Sequence, residues 1–482
     1  MTPSFRPTTP LALAVAIALA GCAVGPRYQA PPTVETPAAF KEGAGEWVRA
    51  APADALERGP WWRLFQDSRL DELAAQVEVS NQNVAAAVAG YRQARALVAQ
   101  QRASLFPAVS LDAGASRSGS EGTGVTTATT TGGTTRVGSG DRTSYQFGIG
   151  ASWEPDVWGR LARTVDGAEA GAQASLADLA AATLAAQGEL AANYFNLREL
   201  DAQRELLART IAGYERVLQI TRNRYEAGIA ARTDVLQAQT QLANARAELL
   251  GLERQRAQSE HAIAVLVGRA PAHFSLPAEP DRPFAVPDIP PAVPSTLLQR
   301  RPDIAAAERR VAQANEQIGI AQAAYYPSLR LTGSVGAGAA SIGDLFSASS
   351  LVWALGASLA QTIFDAGATA ARVEGARAGL DAAAARYRQT VLSAFQDVED
   401  QLAGVRVLAR QVDLREEAAR AAELVEQQVL NRYQAGQVSF TEVVNAQATA
   451  QGARRALVQL QADRQAAAVA LVQALGGGWS GL

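Results

Sequence analysis

Every second residue is apolar along Tyr145, Phe147, Ile149, Ala151 and Trp153, while Gln146, Gly148, Gly150, Ser152 and Glu154 are small or polar. A period of two predicts a strand with one apolar face. Val109, Leu111, Ala113 and Ala115 alternate in the same way with Ser110, Asp112, Gly114 and Ser116, as do Leu329, Leu331 and Val335 with Arg330, Thr332 and Ser334. A fourth run carries Leu351, Trp353, Leu355 and Leu359. The predicted strands, about 106–116, 144–154, 327–337 and 351–361, have the length, single apolar face and aromatic ends that a transmembrane barrel needs. A soluble sandwich is the alternative that the pattern alone leaves open.

Elsewhere the period changes. Leu207, Ile211, Tyr214, Leu218, Thr221 and Tyr225 form a heptad seam. After a turn at Gly228, Leu242, Ala245, Leu249, Leu252, Arg256, Ser259, Ile263 and Leu266 continue the rhythm with two polar interruptions. This predicts long helices at about 165–227 and 231–267, and a less regular copy predicts two more at about 369–433 and 439–474. The first would be on the order of 95 Å long, more than a compact domain holds. Its many alanines let backbones approach closely, which favours a barrel-like array of coiled coils over a plain antiparallel hairpin.

The plan occurs twice. Asn83 to Pro107 lies over Asp303 to Pro327 without a gap, aligning two alanine triplets, Gln93-Ala94 with Gln313-Ala314, and the prolines. Arg224-Tyr225-Glu226-Ala227-Gly228 matches Arg432-Tyr433-Gln434-Ala435-Gly436, and Thr233-Asp234-Val235 matches Thr441-Glu442-Val443. A unit of this size is far longer than a solenoid repeat and indicates an internally duplicated domain. The first repeat spans 61–292 and the second 293–474, each a helix, two strands and two long helices, with a tail at 475–482. The Gly/Thr/Ser tract from Gly119 to Gly140 and the shorter stretch from Gly336 to Ser350 read as flexible extracellular loops.

Arg6 precedes an apolar run from Leu11 to Ala20 that is too short to span a bilayer and reads as an export signal over 1–21. The run ends Leu19-Ala20-Gly21-Cys22, which resembles the bacterial lipobox, so Cys22 is the expected lipidated mature N-terminus. Ala23, rather than Asp, follows it, which favours delivery to the outer membrane. The Pro- and Gly-rich segment 22–60 reads as an extended tether.

Composition narrows the functions. The 482 residues carry a net charge of only −3, which argues against a nucleic-acid groove. One cysteine excludes an internal disulfide, and His261 and His273 leave almost nothing for a zinc or nucleophile–histidine site. No phosphate loop or paired catalytic carboxylates stand out, so neither an enzyme nor a cofactor is expected. Four strands cannot close a barrel, because an open edge in lipid leaves backbone groups unpaired. Two copies would give a filled interior and three a lumen wide enough for solutes, so the parts favour three or more.

The chain resembles the outer membrane factor family, the TolC-like efflux channels, in its lipoprotein branch. The resemblance rests on the lipobox, the duplicated plan, Arg301-Pro302-Asp303-Ile304 followed by Ala307-Glu308, Tyr326-Pro327-Ser328-Leu329, and both Arg-Tyr-x-Ala-Gly turns. It implies an α+β membrane fold: a homotrimer with a twelve-stranded barrel, four strands per chain, continued by a periplasmic helical barrel. It further implies a passive multidrug or small-molecule duct in the outer membrane, fed by a proton-driven inner membrane pump through a periplasmic adaptor. A protein-secretion duct and a non-channel scaffold lipoprotein are the alternatives.

In the family the turns form the periplasmic tip, which makes Arg224, Gly228, Arg432 and Gly436 candidates for adaptor docking and Tyr433, Gln434, Thr441, Glu442 and Asn445 candidates for the gate. Asn445 stands where relatives often have an aspartate and Gln434 where some have arginine, so Glu442 is the candidate substitute. Three copies of Glu442 near an axis would favour cations; a solvated helix face is the alternative. Asp234 reads as a capping or surface carboxylate and the two histidines as structural or exposed. Metal exporters occur among such relatives, but with Met1 its only methionine this chain offers no thioether pathway for Cu(I).

Overall fold

The computed structural model describes residues 24–30, 35–37, 39–42, 60–119, 127–130, 133–136, 142–287 and 301–477. Cys22 lies outside the described residues. The elements are α1 (Ser68–Ser80), α2 (Gln82–Ala103), β1 (Ala108–Ser118), β2 (Thr127–Thr130), β3 (Gly133–Arg136), β4 (Arg142–Trp153), α3 (Arg160–Glu226) and α4 (Arg232–Leu266), then α5 (Pro302–Ala323), β5 (Ser328–Ala339), β6 (Leu351–Ala360), α6 (Ala368–Gln434) and α7 (Phe440–Ala474). Two compact units form. Of the described residues, one takes those within 1–30, 93–172 and 310–383 and holds the four-stranded sheet; the other takes those within 31–92, 173–309 and 384–482 and holds helices. Each unit draws segments from both halves of the chain, so the compact units cut across the duplication.

The sheet is antiparallel in the order β1-β4-β5-β6. Its register aligns Leu111, Ile149, Val335 and Trp353 in one row and Val109, Ala151, Gly333 and Leu355 in the next, so the alternation of each strand adds up to one apolar face. Ser110, Gly150, Ser334 and Ala354 form a row of the opposite face. Gly114, Gly148, Gly150, Gly336, Gly338 and Gly356 all lie on that second face. A methyl group added to Gly336 would come within 2.8 Å of the Phe147 carbonyl oxygen, so the backbones are too close there for any side chain.

Within the tract expected as a flexible extracellular loop lies the hairpin of β2 and β3, paired from Thr127 with Arg136 to Thr130 with Gly133. Threonine is β-branched and suits a pleated strand, a preference that the neighbouring glycines mask in the composition.

Where strand gives way to helix, both halves use an aspartate. Asp156 accepts from the Leu161 and Ala162 amides at 2.9 and 2.6 Å, and Asp365 from the Thr369 amide at 2.7 Å. These carboxylates satisfy N–H groups that have no partner within the first turns of α3 and α6. Beside the first of them Trp158 stacks on Tyr326 at 4.8 Å and donates Nε1 to the Pro327 carbonyl at 2.7 Å.

In the helical unit the heptad seam is buried at Leu207, Tyr214, Leu218 and Thr221, and it ends where Tyr225 becomes 45% exposed. Both polar interruptions of the second seam have partners on α3. Arg256 Nε donates to Asp201 at 2.6 Å, and Ser259 Oγ accepts from Asn196 Nδ2 at 2.9 Å. Asp201 also receives Arg198 at 3.0 Å, and the two arginines donate to the Pro277 and Leu276 carbonyls at 2.8 and 2.7 Å. The linker after α4 is thereby fastened to the helices. Against this network packs a core of Trp61, Trp62, Phe65, Leu190, Tyr194 and Ile263. Arg301 links the start of α5 to Asp303 at 2.7 Å, Asp397 of α6 at 3.1 Å and the Ala474 carbonyl of α7 at 3.4 Å.

The segment expected as a tether makes specific contacts. Val24 donates to the Trp158 carbonyl at 3.1 Å, and the Pro26 carbonyl accepts from Arg163 at 3.2 Å. Further on, the Lys41 and Glu42 amides donate to the two oxygens of Glu399 at 2.7 and 2.8 Å.

Candidate functional site: the strand face and the paired helix turns

Two surfaces carry functional meaning. The first is the apolar sheet face, on which Val109, Leu111, Trp353, Leu355 and Leu359 are exposed, Trp353 by 70% and Leu355 by 80%. Large apolar groups in contiguous rows are unfavourable in water and favourable in lipid. Within the described sheet β1 and β6 each have one paired neighbour, so two ladders of backbone donors and acceptors end at the edges. Lipid tolerates no such edge. Among the described residues no helix is long and apolar enough to cross a membrane, and no group of three or more His, Cys, Asp or Glu is placed to hold a metal ion.

The second surface is the pair of turns, α3 to α4 and α6 to α7. Gly228 and Gly436 both have φ of +74°, the left-handed conformation that ends a helix without a side-chain penalty. The turns touch through Arg224. Its Nη1 donates to the Tyr433 and Gln434 carbonyl oxygens at 2.8 and 3.2 Å, and its guanidinium lies 4.8 Å from the Tyr433 ring centre. Tyr433 is 3% exposed, its hydroxyl 3.4 Å from Thr221 Oγ1 and its ring 5.5 Å from Phe440.

This geometry sorts the residues singled out from the sequence. Gly228, Arg432 and Gly436 are exposed, as a docking surface requires, whereas Arg224 is half buried and engaged by the second turn. Gln434, Thr441, Glu442 and Asn445 are exposed on the second turn and the start of α7, while Tyr433 belongs to the seam core. Glu442 Oε1 accepts from the Ser439 amide at 3.4 Å, the return half of a capping box at the α7 N-terminus. His261 and His273 are exposed. Sequence reading missed the cap, whose Ser-x-x-Glu signal is present at Ser439 and Glu442, and the use of Arg224 as a link, for which one sequence carries no signal.

A sheet with one lipid-compatible face, joined to helices of 67 residues that turn back at glycines, defines the barrel-and-tunnel class of outer-membrane channels. A family model described as outer membrane efflux protein matches residues 73–269 and 293–477, and the chain belongs to that family. It is 32% identical over 475 residues to the antibiotic efflux pump outer membrane protein ArpC of Pseudomonas putida, covering 97% of this chain and 95% of that protein. To the pyoverdine export outer membrane protein OpmQ of Pseudomonas aeruginosa it is 31% identical, covering 92% and 94%. The outer-membrane channel OprN superposes with a TM-score of 0.82 at 29% identity, over 95% of this chain and all of that one. The open state of the Neisseria gonorrhoeae channel MtrE superposes with a TM-score of 0.82 at 31% identity, over 95% and 98%. The protein therefore has the α+β fold of the trimeric efflux channels. It is an outer-membrane efflux channel whose helical part lies in the periplasm, in a family of passive conduits.

Proposed function

We propose that three copies of this chain close one barrel and form a passive exit duct, with no chemistry of its own, for small molecules delivered by an inner membrane pump and a periplasmic adaptor. The observation that carries the reading is the sheet with an exposed apolar face and two single-paired edges, which only neighbouring copies can complete in lipid. Lipidation at Cys22 would hold the chain at the membrane, close to the contact that Val24 makes with Trp158. The adaptor would meet the exposed residues of the turns, Gly228, Arg432 and Gly436. The gate would lie at the second turn, with Glu442, Gln434, Thr441 and Asn445 facing the passage and Tyr433 anchoring the turn behind them.

Conductance of the purified protein in a planar lipid bilayer tests the duct. Small cation-selective openings that change in Glu442→Gln support a constriction near Glu442. Equal traces for both proteins move the gate elsewhere, and the absence of conductance in every variant overturns the duct.

A further inference from the structure

Behind the second turn, in the body of the helical unit, α3 of the first repeat meets α7 of the second through a row of polar side chains. Glu199 of α3 is 7% exposed. Gln203 Nε2 donates to Glu199 Oε1 at 2.7 Å and reaches Gln459 Oε1 of α7 at 3.5 Å, and Gln459 Nε2 donates in turn to Asp463 at 3.1 Å. The row is a carboxyl, two amides and a carboxyl. It borders a cavity of about 350 Å³ whose walls include Asn196 of α3, Glu248 and Gln255 of α4, and Arg455 of α7. The cation on that wall is already engaged, because Arg455 pairs with Glu248. Glu199 thus has an amide for a partner and a like charge beyond it, an arrangement that suits a neutral acid better than a carboxylate.

We propose that the row from Glu199 to Asp463 is a proton-sensitive seam that holds the helices of the two repeats together in acid and lets them separate as the pH rises. Burial, reinforced by the charge of Asp463 and opposed by the Gln203 hydrogen bond, pushes the Glu199 carboxyl up to about 7. The sign follows from linkage. The folded chain holds its proton more tightly than the unfolded one, so stability is complete below the ordinary carboxylate range and is lost as the pH climbs to about 7. That window includes the neutral conditions a periplasm shares with its surroundings.

Thermal unfolding of the full-length protein in detergent, between pH 5 and pH 8, tests the seam with Glu199→Gln and Asp463→Asn. Glu199→Gln is expected to melt with the natural chain at pH 5 and several degrees above it at pH 8. Asp463→Asn is expected to move the loss to lower pH, since without the charge of Asp463 only burial raises the Glu199 carboxyl; the shift is read from the pH at which the variant's melting curve starts to fall relative to the natural chain. Melting curves for the natural chain and Glu199→Gln that run parallel across the range overturn the seam. Bilayer recordings separate this result from the duct itself. A twofold or greater rise in open fraction from pH 5.5 to pH 8 that Glu199→Gln abolishes supports the seam. Diverging melting curves with no conductance at any pH support the seam and count against the duct.

Discussion

Arg224 Nη1, at the end of α3, donates to the carbonyl oxygen of Tyr433 at 2.8 Å, so an arginine of the first turn completes the helix end of the second. The matching Arg432 of the second turn is exposed. One motif therefore serves two purposes: the first copy fixes its neighbour and the second faces outward.

Arg224→Ala should free the second turn without unfolding the chain. Removing a charge-assisted hydrogen bond and a cation–π contact costs about 2 kcal/mol. Hydrogen exchange at the amides of residues 434–440 should speed up by roughly thirtyfold, consistent with such a loss. Arg432→Ala should leave those amides unchanged.

Asp201→Asn should be among the most damaging single changes. Asp201 receives both Arg198 and Arg256 in the buried network, and removing its charge leaves Arg198 with Glu279 and Arg256 with Glu260 as their remaining carboxylate partners, the two arginines no longer sharing a buried anion. The expected cost is about 3–5 kcal/mol, read as a fall in the denaturant midpoint with an unchanged slope.

Ala366 has φ of +54°, which strains any residue with a Cβ atom. Ala366→Gly should raise thermal stability by up to about 1 kcal/mol, less the chain entropy that glycine adds to the unfolded state. Ala366→Val should lower it, and paired melting curves distinguish the two signs.

The two sheet faces should respond oppositely to the same side chain. Ile149→Arg puts a charge on the apolar row and should cost about 2–4 kcal/mol in the membrane, seen as a loss of membrane-inserted protein. Ser334→Arg lies on the small, polar face and should insert normally while lowering single-channel conductance.

The strands were legible because a period of two survives in every strand that has one face in lipid, as Phe147 and Ile149 illustrate. The helix seam was legible for a similar reason, down to Thr221. What the pattern could not tell was why it broke. Arg256 reads as an interruption until Asp201, 55 residues earlier, is seen beside it. The β2–β3 hairpin was hidden because its threonines sit among glycines. At the turns, identical Arg-Tyr-x-Ala-Gly segments predict identical surroundings, yet only Arg224 faces a neighbouring helix end. Short-range periodicity is written in the chain; the choice between two equal motifs is made by packing.

The strand glycines carry one more consequence. Gly114, Gly148, Gly150, Gly336, Gly338 and Gly356 share the face turned away from the apolar rows with serines and alanines, and with Asp112, Gln146, Thr332 and Arg330. A molecule sliding over that wall would meet backbone and short hydroxyls over most of its path and the longer polar side chains of Asp112, Gln146 and Arg330 at a few rows. Such a wall would tell one cargo from another at those side chains and hardly at the glycines between them. If the exit itself came to favour one cargo, the change would then fall on Asp112, Gln146 or Arg330 rather than on the glycines, whose place is held by the close backbone approach.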